Sequence, residues 1–307
     1  MSTLDDITQL TSFHKQAQDP NVAHLVIGRN EVVSSRTLPG LNVDVEQRGE
    51  GVAIVVNLAP ETRIDKPVHM CFGMLQEEGI QEIDIEMVVG DGASMDVMAH
   101  CVFPNAQKIK HLMDGRIRIG SGAHYSYIER HIHAETGGVE VVPKSTIVLG
   151  DDSRFKTDFE LLHGRVGLID IAYDVTCGAR SVLEMNAKVS GKADDIIKIS
   201  EIGHLAGEHS RGALTSRVAV RDNARADIYN KLTASAAYAR GHVDCKEIVQ
   251  GEAIAAATPV VEVTHPKAHV THEAALGSVD NKQLETLMAR GLTEDEASDL
   301  IIEGLLS

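Results

Sequence analysis

From Pro67 onward the chain repeats one rhythm. Short runs alternate apolar and polar residues, as in SMDVMA, HYSYIE and RADIYN, and each follows a turn built of Gly, Asp or Asn and a small residue. Alternation with period two is the mark of a strand with one buried face. The turns include Gly90-Asp91-Gly92-Ala93, Gly120-Ser121-Gly122-Ala123, Gly150-Asp151-Asp152-Ser153, Thr176-Cys177-Gly178-Ala179 and Arg221-Asp222-Asn223-Ala224. Ala93, Ala123, Ser153 and Ala179 stand 30, 30 and 26 residues apart; Ala179 to Ala193 and Ala224 to Ala237 are 14 and 13. A period near 28 with half-periods near 14 predicts a solenoid with two strands and two turns per coil. A β-sandwich would turn every 8–12 residues or so and fits the spacing less well.

The segments flanking this core read differently. Leu4 to Ala17 has helical spacing through Leu4, Ile7 and Leu10, with Asp5 and Asp6 suited to a first turn, and Asp19-Pro20-Asn21 breaks it. The runs HLVIG, EVV, NVDVEQ and GVAIVVNLA then predict short strands up to about Ile64. At the other end Asp280 and Gln283 form a capping box for a helix carrying Leu284, Leu287 and Met288, ended by Gly291. Thr293 and Glu296 open a second helix with Ala297, Leu300 and Ile301. The expected organisation is a cap over residues 1–66, a mainly β core over 67–279 and a helical region over 280–307. Either flank could cover the unpaired edge strands of the solenoid's ends; the helices could equally dock a partner.

Composition narrows the function. The 307 residues carry 29 basic and 45 acidic side chains, a net charge of −16, which repels phosphate backbones and argues against nucleic-acid binding. No apolar run reaches membrane-spanning length, and MSTLDDITQL lacks the basic start of a signal peptide, so a cytoplasmic location is expected. Five Phe, five Tyr and no Trp imply a narrow interior stacked from aliphatic side chains. They also weigh against a β-helix enzyme acting on carbohydrate, which wants stacking aromatics and clustered carboxylates. There is no Walker motif, no G-x-S-x-G and no dinucleotide fingerprint.

The four cysteines, Cys71, Cys101, Cys177 and Cys245, are widely spaced with no C-x-x-C, so neither a disulfide framework nor a structural zinc site is expected. Each reads first as a buried thiol. Cys245 shares strand parity with Val243, which points it inward. His272 and Glu273 have opposite parity and face apart unless the strand bulges or ends. Of the 15 histidines, His131-x-His133 and His265-x-x-x-His269 have metal-ligand spacing, but no acidic partner fixes either pair.

Several strings resemble the SufB/SufD family of iron–sulfur cluster assembly proteins. They are GHVDCKEIV, PVVEVTHPKAHVTHEAALGSV, LMARGLTEDEASDLII, HSRGALTSRVAV and LAPETRIDKPVHM, together with CVFP followed by KHLMDGRIRI. The resemblance spans about Ala59 to Leu306. It implies a right-handed parallel β-helix, flanked by a small N-terminal segment and a C-terminal helical region. It implies partnership with SufC, an ABC-type ATPase, in a non-enzymatic scaffold that carries a transient iron–sulfur cluster; an ATPase adaptor without a cluster is the alternative. Cys245 falls on the family's scaffold cysteine, and Glu273 and His272 on its C-terminal glutamate and histidine. Cys101 falls near the sulfur-accepting cysteine, although HCVFP stands where the family has G-C-[ST]-A-P. The helices would dock SufC through Leu284, Leu287, Leu300 and Ile301. The short length resembles the compact archaeal or minimal-system form, which implies a homodimer rather than a heterodimer with a SufD-like chain. One thiolate per chain is too few for a cluster, so two chains would contribute.

Overall fold

The computed structural model describes residues 3–11, 13–49 and 51–306. The chain opens with α1 (Thr3–Leu10) and α2 (His14–Gln18), then β1 (His24–Gly28), β2 (Glu31–Arg36), β3 (Leu41–Arg48) and β4 (Gly51–Leu58). Next come β5 (Val68–Gly73), β6 (Glu78–Val89), β7 (Ser94–Phe103), β8 (Lys108–Ile119), β9 (His124–His133), β10 (Val139–Leu149) and β11 (Arg154–Leu161). They are followed by β12 (Gly167–Cys177), β13 (Val182–Gly191), β14 (Ile196–Leu205), β15 (Arg211–Val220) and β16 (Arg225–Ala234). The last elements are β17 (Arg240–Val249), β18 (Ile254–Val263), β19 (His269–Gly277), α3 (Asn281–Met288) and α4 (Glu294–Leu306).

From β4 onward successive strands alternate between two sheets. The ten-stranded sheet runs β19-β17-β15-β13-β11-β9-β7-β5-β1-β2, and the nine-stranded sheet β18-β16-β14-β12-β10-β8-β6-β4-β3. Apart from the hairpin pairs at the start, every pairing is parallel, so the fold is the two-sided β-solenoid that the period predicts. Parallel pairing begins before Pro67. β1 lies on β5 and β4 on β6, so the N-terminal segment supplies the first coil.

The corners explain the repeat. At the third position of successive corners the backbone enters the left-handed region, at Gly92 (φ 66°), Gly122 (φ 67°) and Asp152 (φ 58°), where glycine and, less readily, Asp are accommodated. A small residue then turns inward; Ala93, Ala123 and Ser153 are all buried. Asp91 Oδ1 accepts from the Ser121 amide and Asp151 Oδ1 from the Ala179 amide, both at 2.8 Å, which stacks one corner on the next. The next inward small residue is Ser181, not Ala179: its hydroxyl donates to Gly178 O at 2.8 Å, as that of Ser153 donates to Gly150 O at 2.7 Å.

The helical segment expected over Leu4 to Ala17 is two helices, α1 and α2. Ile7 and Phe13 pack with Val26 and Cys71 on the outer face of the ten-stranded sheet. Residue 12 and the side chains of Asp5 and Asp6, with their expected first-turn role, lie outside the described residues. At the C-terminus both helix N-caps form, the second as a full capping box. Asp280 Oδ1 accepts from the Gln283 amide at 2.8 Å, and Glu296 Oε2 accepts from the Thr293 amide at 2.8 Å. α4 lies on the side of the solenoid. Ile302 and Leu306 pack on Ala219, Leu162 and Ile248, and Arg221 pairs with Asp299 at 2.7 Å.

The two ends therefore differ. At the first end the antiparallel strands β2 and β3 continue the sheets past β1 and β4. At the other, β18 and β19 are edge strands, and among the described residues no further strand pairs with them. The C-terminal helices do not cap this end, because the apolar stripe of α4 is used on the side.

Candidate functional site

Cys245 sits on β17 with Val243 on its interior side, and both are fully buried. Its strand neighbours are Ser216 on β15 and Ala274 on β19. Asn230 Nδ2, from the facing sheet, lies 3.6 Å from the sulfur, and the Ser216 hydroxyl donates to Glu247 Oε1 at 3.4 Å. Burial pushes the Cys245 thiol pKa up, and the Glu247 charge pushes it further; hydrogen bonds from Ser216 and Asn230 oppose them. Burial likewise holds the Glu247 carboxyl at about 7 and that of Glu201, on β14, at about 8. Glu201 Oε2, Glu247 Oε2 and Asn230 Oδ1 are buried without a hydrogen-bond partner.

His272 is in register with Val243, so it takes the interior side of β19. Glu273 is in register with Asp244 on the outer side, and its carboxylate lies 3.8 Å from Lys246 Nζ. The strand stays regular here and keeps the two apart. The interior side of the last coil also carries Ala255, Ala257, Val261, Val263, Val270 and Leu276, by register with the inward-facing residues of β16 and β17. Among the described residues nothing stacks on it, and Leu276 is 52% exposed and Val263 46%. Such an apolar, unpaired edge is otherwise an aggregation hazard.

Cys101, on β7, is also fully buried, but in a polar surround. His111 Nε2 on β8 and Glu129 Oε1 on β9 each lie 3.5 Å from its sulfur. Gln81 on β6 points its amide nitrogen at two carbonyls, Arg29 O and Gly73 O. Its Oε1 must then accept from His111 Nδ1, at 2.9 Å. His111, held neutral by burial with its pKa near 3, therefore turns an Nε2 lone pair toward Cys101. On the far side Arg165 O accepts from His133 Nδ1 at 3.2 Å, and His133 Nε2 accepts from His131 Nδ1 at 3.1 Å. His131 Nε2 then meets Glu129 Oε1 at 2.8 Å with one proton between them. Burial would raise the Glu129 pKa, but the hydrogen bond and charge of His131, with His111 and Cys101, hold it below the ordinary value. Burial and the Glu129 charge drive the Cys101 thiol well up.

Cys101 and Cys245 lie five strands apart in one sheet, about 24 Å at about 4.8 Å per strand. The Cys245 column runs through Ser216, Ala187 and Phe159 to Glu129, so the two polar centres share one interior row, interrupted by apolar side chains. Cys71 is buried outside the solenoid against the N-terminal helices, and Cys177 is buried inside it. Leu284, Leu287 and Ile301 are half-buried and Leu300 is 47% exposed; the last three line an open groove between α3, α4 and Ile248.

The chain matches the SUF system FeS cluster assembly SufBD core domain over residues 74–305. The chain belongs to the SufBD family. A Methanocaldococcus jannaschii protein named as an iron–sulfur cluster assembly SufBD family protein is 34% identical over 282 residues, covering 92% of this chain and 89% of its own. One from Pyrococcus horikoshii, named likewise, is 35% identical over 285 residues, covering 93% and 87%. A Staphylococcus aureus member aligns over only 69 residues at 32% identity, 22% of this chain and 15% of its own. The family implies a role in iron–sulfur cluster assembly. Among the described residues no helix is long and apolar enough to cross a membrane.

Contrary to expectation, the His131–His133 pair has an acidic partner, Glu129, two residues before His131. The run Glu129-x-His131-x-His133 puts three polar side chains on an interior face, a signal legible in the alternation. Glu201, Ser216, Asn230 and Glu247 break the apolar face of their strands in the same way.

Proposed function

We propose that this SufBD protein is a cytoplasmic, non-enzymatic scaffold on which an iron–sulfur cluster is built, working with a SufC-type ATPase as a homodimer joined at its last coil. The observation that carries the proposal is Cys245, lying one layer beneath an exposed apolar edge. Two copies meeting there about a two-fold axis would cover β18 and β19 of each. Their Cys245 sulfurs would stand about three strand spacings apart, about 14 Å, wider than one cluster spans. The last coil must therefore move before both thiolates reach one cargo. Only residues 278–280 separate β19 from α3, so a pull on the helices is transmitted directly to the strand that covers Cys245. ATPase docking at Leu284, Leu287, Leu300 and Ile301 would supply that pull.

In the opened state Cys245 from each chain holds the cluster, Glu273 adds an oxygen ligand once it leaves Lys246, and His272 serves as ligand or proton acceptor. A set short of four thiolates suits a scaffold, which must release what it builds. Cys101 is the proposed point where sulfur enters; being enclosed, it needs a local opening of the solenoid. Anaerobic reconstitution with iron and sulfide tests the proposal: Cys245→Ser is expected to lose the cluster and Glu273→Ala to hold it less tightly. A Cys245→Ser protein with wild-type iron and sulfide content would leave only the adaptor reading.

A further inference from the structure

The polar centre in the middle of the solenoid has the makings of a second site, apart from Cys245 and alternative to sulfur entry at Cys101, because a thiolate held by an ion is not free to accept sulfur. We propose that Cys101, His111 and Glu129 bind a single divalent transition metal of borderline softness, such as zinc, cobalt(II) or iron(II). One thiolate, one imidazole and one carboxylate are the donors such ions accept. All three residues are buried, and one ligand atom from each lies within 4.8 Å of the others.

The two spacings measured from the sulfur fit a coordination sphere. A tetrahedral ion with bonds of about 2.3 Å to sulfur and about 2.1 Å to nitrogen or oxygen separates those donors by about 3.6 Å. The sulfur of Cys101 lies 3.5 Å from His111 Nε2 and 3.5 Å from Glu129 Oε1. The lone pair of His111 is already aimed inward, because Gln81 fixes the proton on Nδ1. Glu129 Oε1, the oxygen 3.5 Å from the sulfur, shares a hydrogen bond with His131 and has a second lone pair for the ion, while Oε2 is buried with no hydrogen-bond partner. Gln81 and His131 thus do what outer partners of a metal site do, fixing tautomer and orientation. An unpartnered carboxylate oxygen inside a solenoid is otherwise a standing cost. Binding replaces the Cys101 proton with the ion, and three protein ligands leave the fourth position open.

The site is enclosed, so loading as the chain folds is the natural route. The inference goes beyond the scaffold reading and is tested without Cys245. The Cys245→Ser protein is produced in cobalt-supplemented medium and purified without oxygen; metal content and the optical spectrum are read. About one cobalt per chain with a thiolate-to-cobalt charge-transfer band is expected. Adding Cys101→Ser should abolish the band, and His111→Asn or Glu129→Gln should lower retained cobalt by at least about tenfold. Should a variant fail to fold, X-ray absorption of the folded Cys245→Ser protein decides: one sulfur and nitrogen or oxygen neighbours at cobalt support the site. No retained cobalt, cobalt without sulfur, or a band that survives in Cys101→Ser would overturn it, leaving a hydrogen-bonded interior cluster.

Discussion

Replacing Glu201 with Gln should flatten the pH dependence of stability. The side chain projects inward from β14, the residue is 2% exposed, and Oε2 has no partner. Burial raises its pKa from 4.5 to about 8. Below about pH 4.5 the carboxyl is protonated in both folded and unfolded chains and costs nothing. As pH rises the unfolded chain ionises first, so it binds fewer protons than the folded one, and stability falls. The decline runs from about pH 4.5 to about pH 8. At about 1.4 kcal/mol per pH unit it amounts to about 5 kcal/mol in full and about 3 kcal/mol at pH 7. Gln keeps the size and removes the ionisation. Its amide is itself under-bonded, at a cost of about 1–3 kcal/mol that does not vary with pH. The diagnostic is therefore the slope and not the offset.

The assay is urea denaturation of both proteins at pH 5, 6.5 and 8. Surface repulsion in a chain of net charge −16 also weakens it as pH rises, so the difference between wild type and variant isolates Glu201. That difference should grow in favour of the variant by a few kcal/mol between pH 5 and 8. Parallel curves would show that the interior does not hold this carboxyl protonated, and would equally undercut the reading of Glu247.

Leu276→Asp puts a charge on the uncovered edge without touching Cys245; it should turn a dimer into monomers at micromolar concentration by light scattering, and a wild-type monomer would count against the end-to-end joint. Removing everything after Val279 should abolish co-purification with the ATPase while β-sheet circular dichroism persists, since α4 lies on the side of the solenoid. Unchanged ATPase affinity would move the contact elsewhere. Cys101→Ser should bind a reconstituted cluster normally yet load slowly from a sulfur donor, as followed by the rise of cluster absorbance.

The solenoid was legible because its two determinants are local. Alternation fixes the strand faces, and a small residue after a left-handed corner fixes the turn. The misplacement at Ala179 has the same origin. Gly178 begins that corner, as Gly150 begins the one before it, but reading it from Thr176 shifts the anchor by two residues. Cys245 was rightly turned inward by its parity with Val243. The centre at Cys101 was not legible as a unit. Glu129 and His131 share one strand, but His111 and Gln81 come from the facing sheet, and only the coil-to-coil register brings them to the sulfur. The open end was hidden for a different reason. The apolar stripe of α4 is visible in the sequence, but whether it covers the end of a solenoid or its side depends on Ala219 and Ile248 presenting a matching outer surface.

That choice of side over end bears on how the proposed scaffold would work. An interior coil is held by strands above and below, the last coil by one neighbour only, so β18 and β19 are the cheapest part of the solenoid to displace. β19 is also the strand directly joined to the helices, and it covers Cys245 with nothing larger than Ala274. Had α3 and α4 capped the end, opening the site would have meant breaking their apolar contacts first. α4 is anchored on Ala219 and Ile248, whereas α3 has no buried residue, so in the proposed scaffold a partner that shifts α3 would move β19 while the interior coils stay paired. The sheets thus divide into interior coils paired on both sides, which enclose Cys101, His111 and Glu129 and would have to open locally for sulfur to enter, and one terminal coil paired on one side only, which covers Cys245.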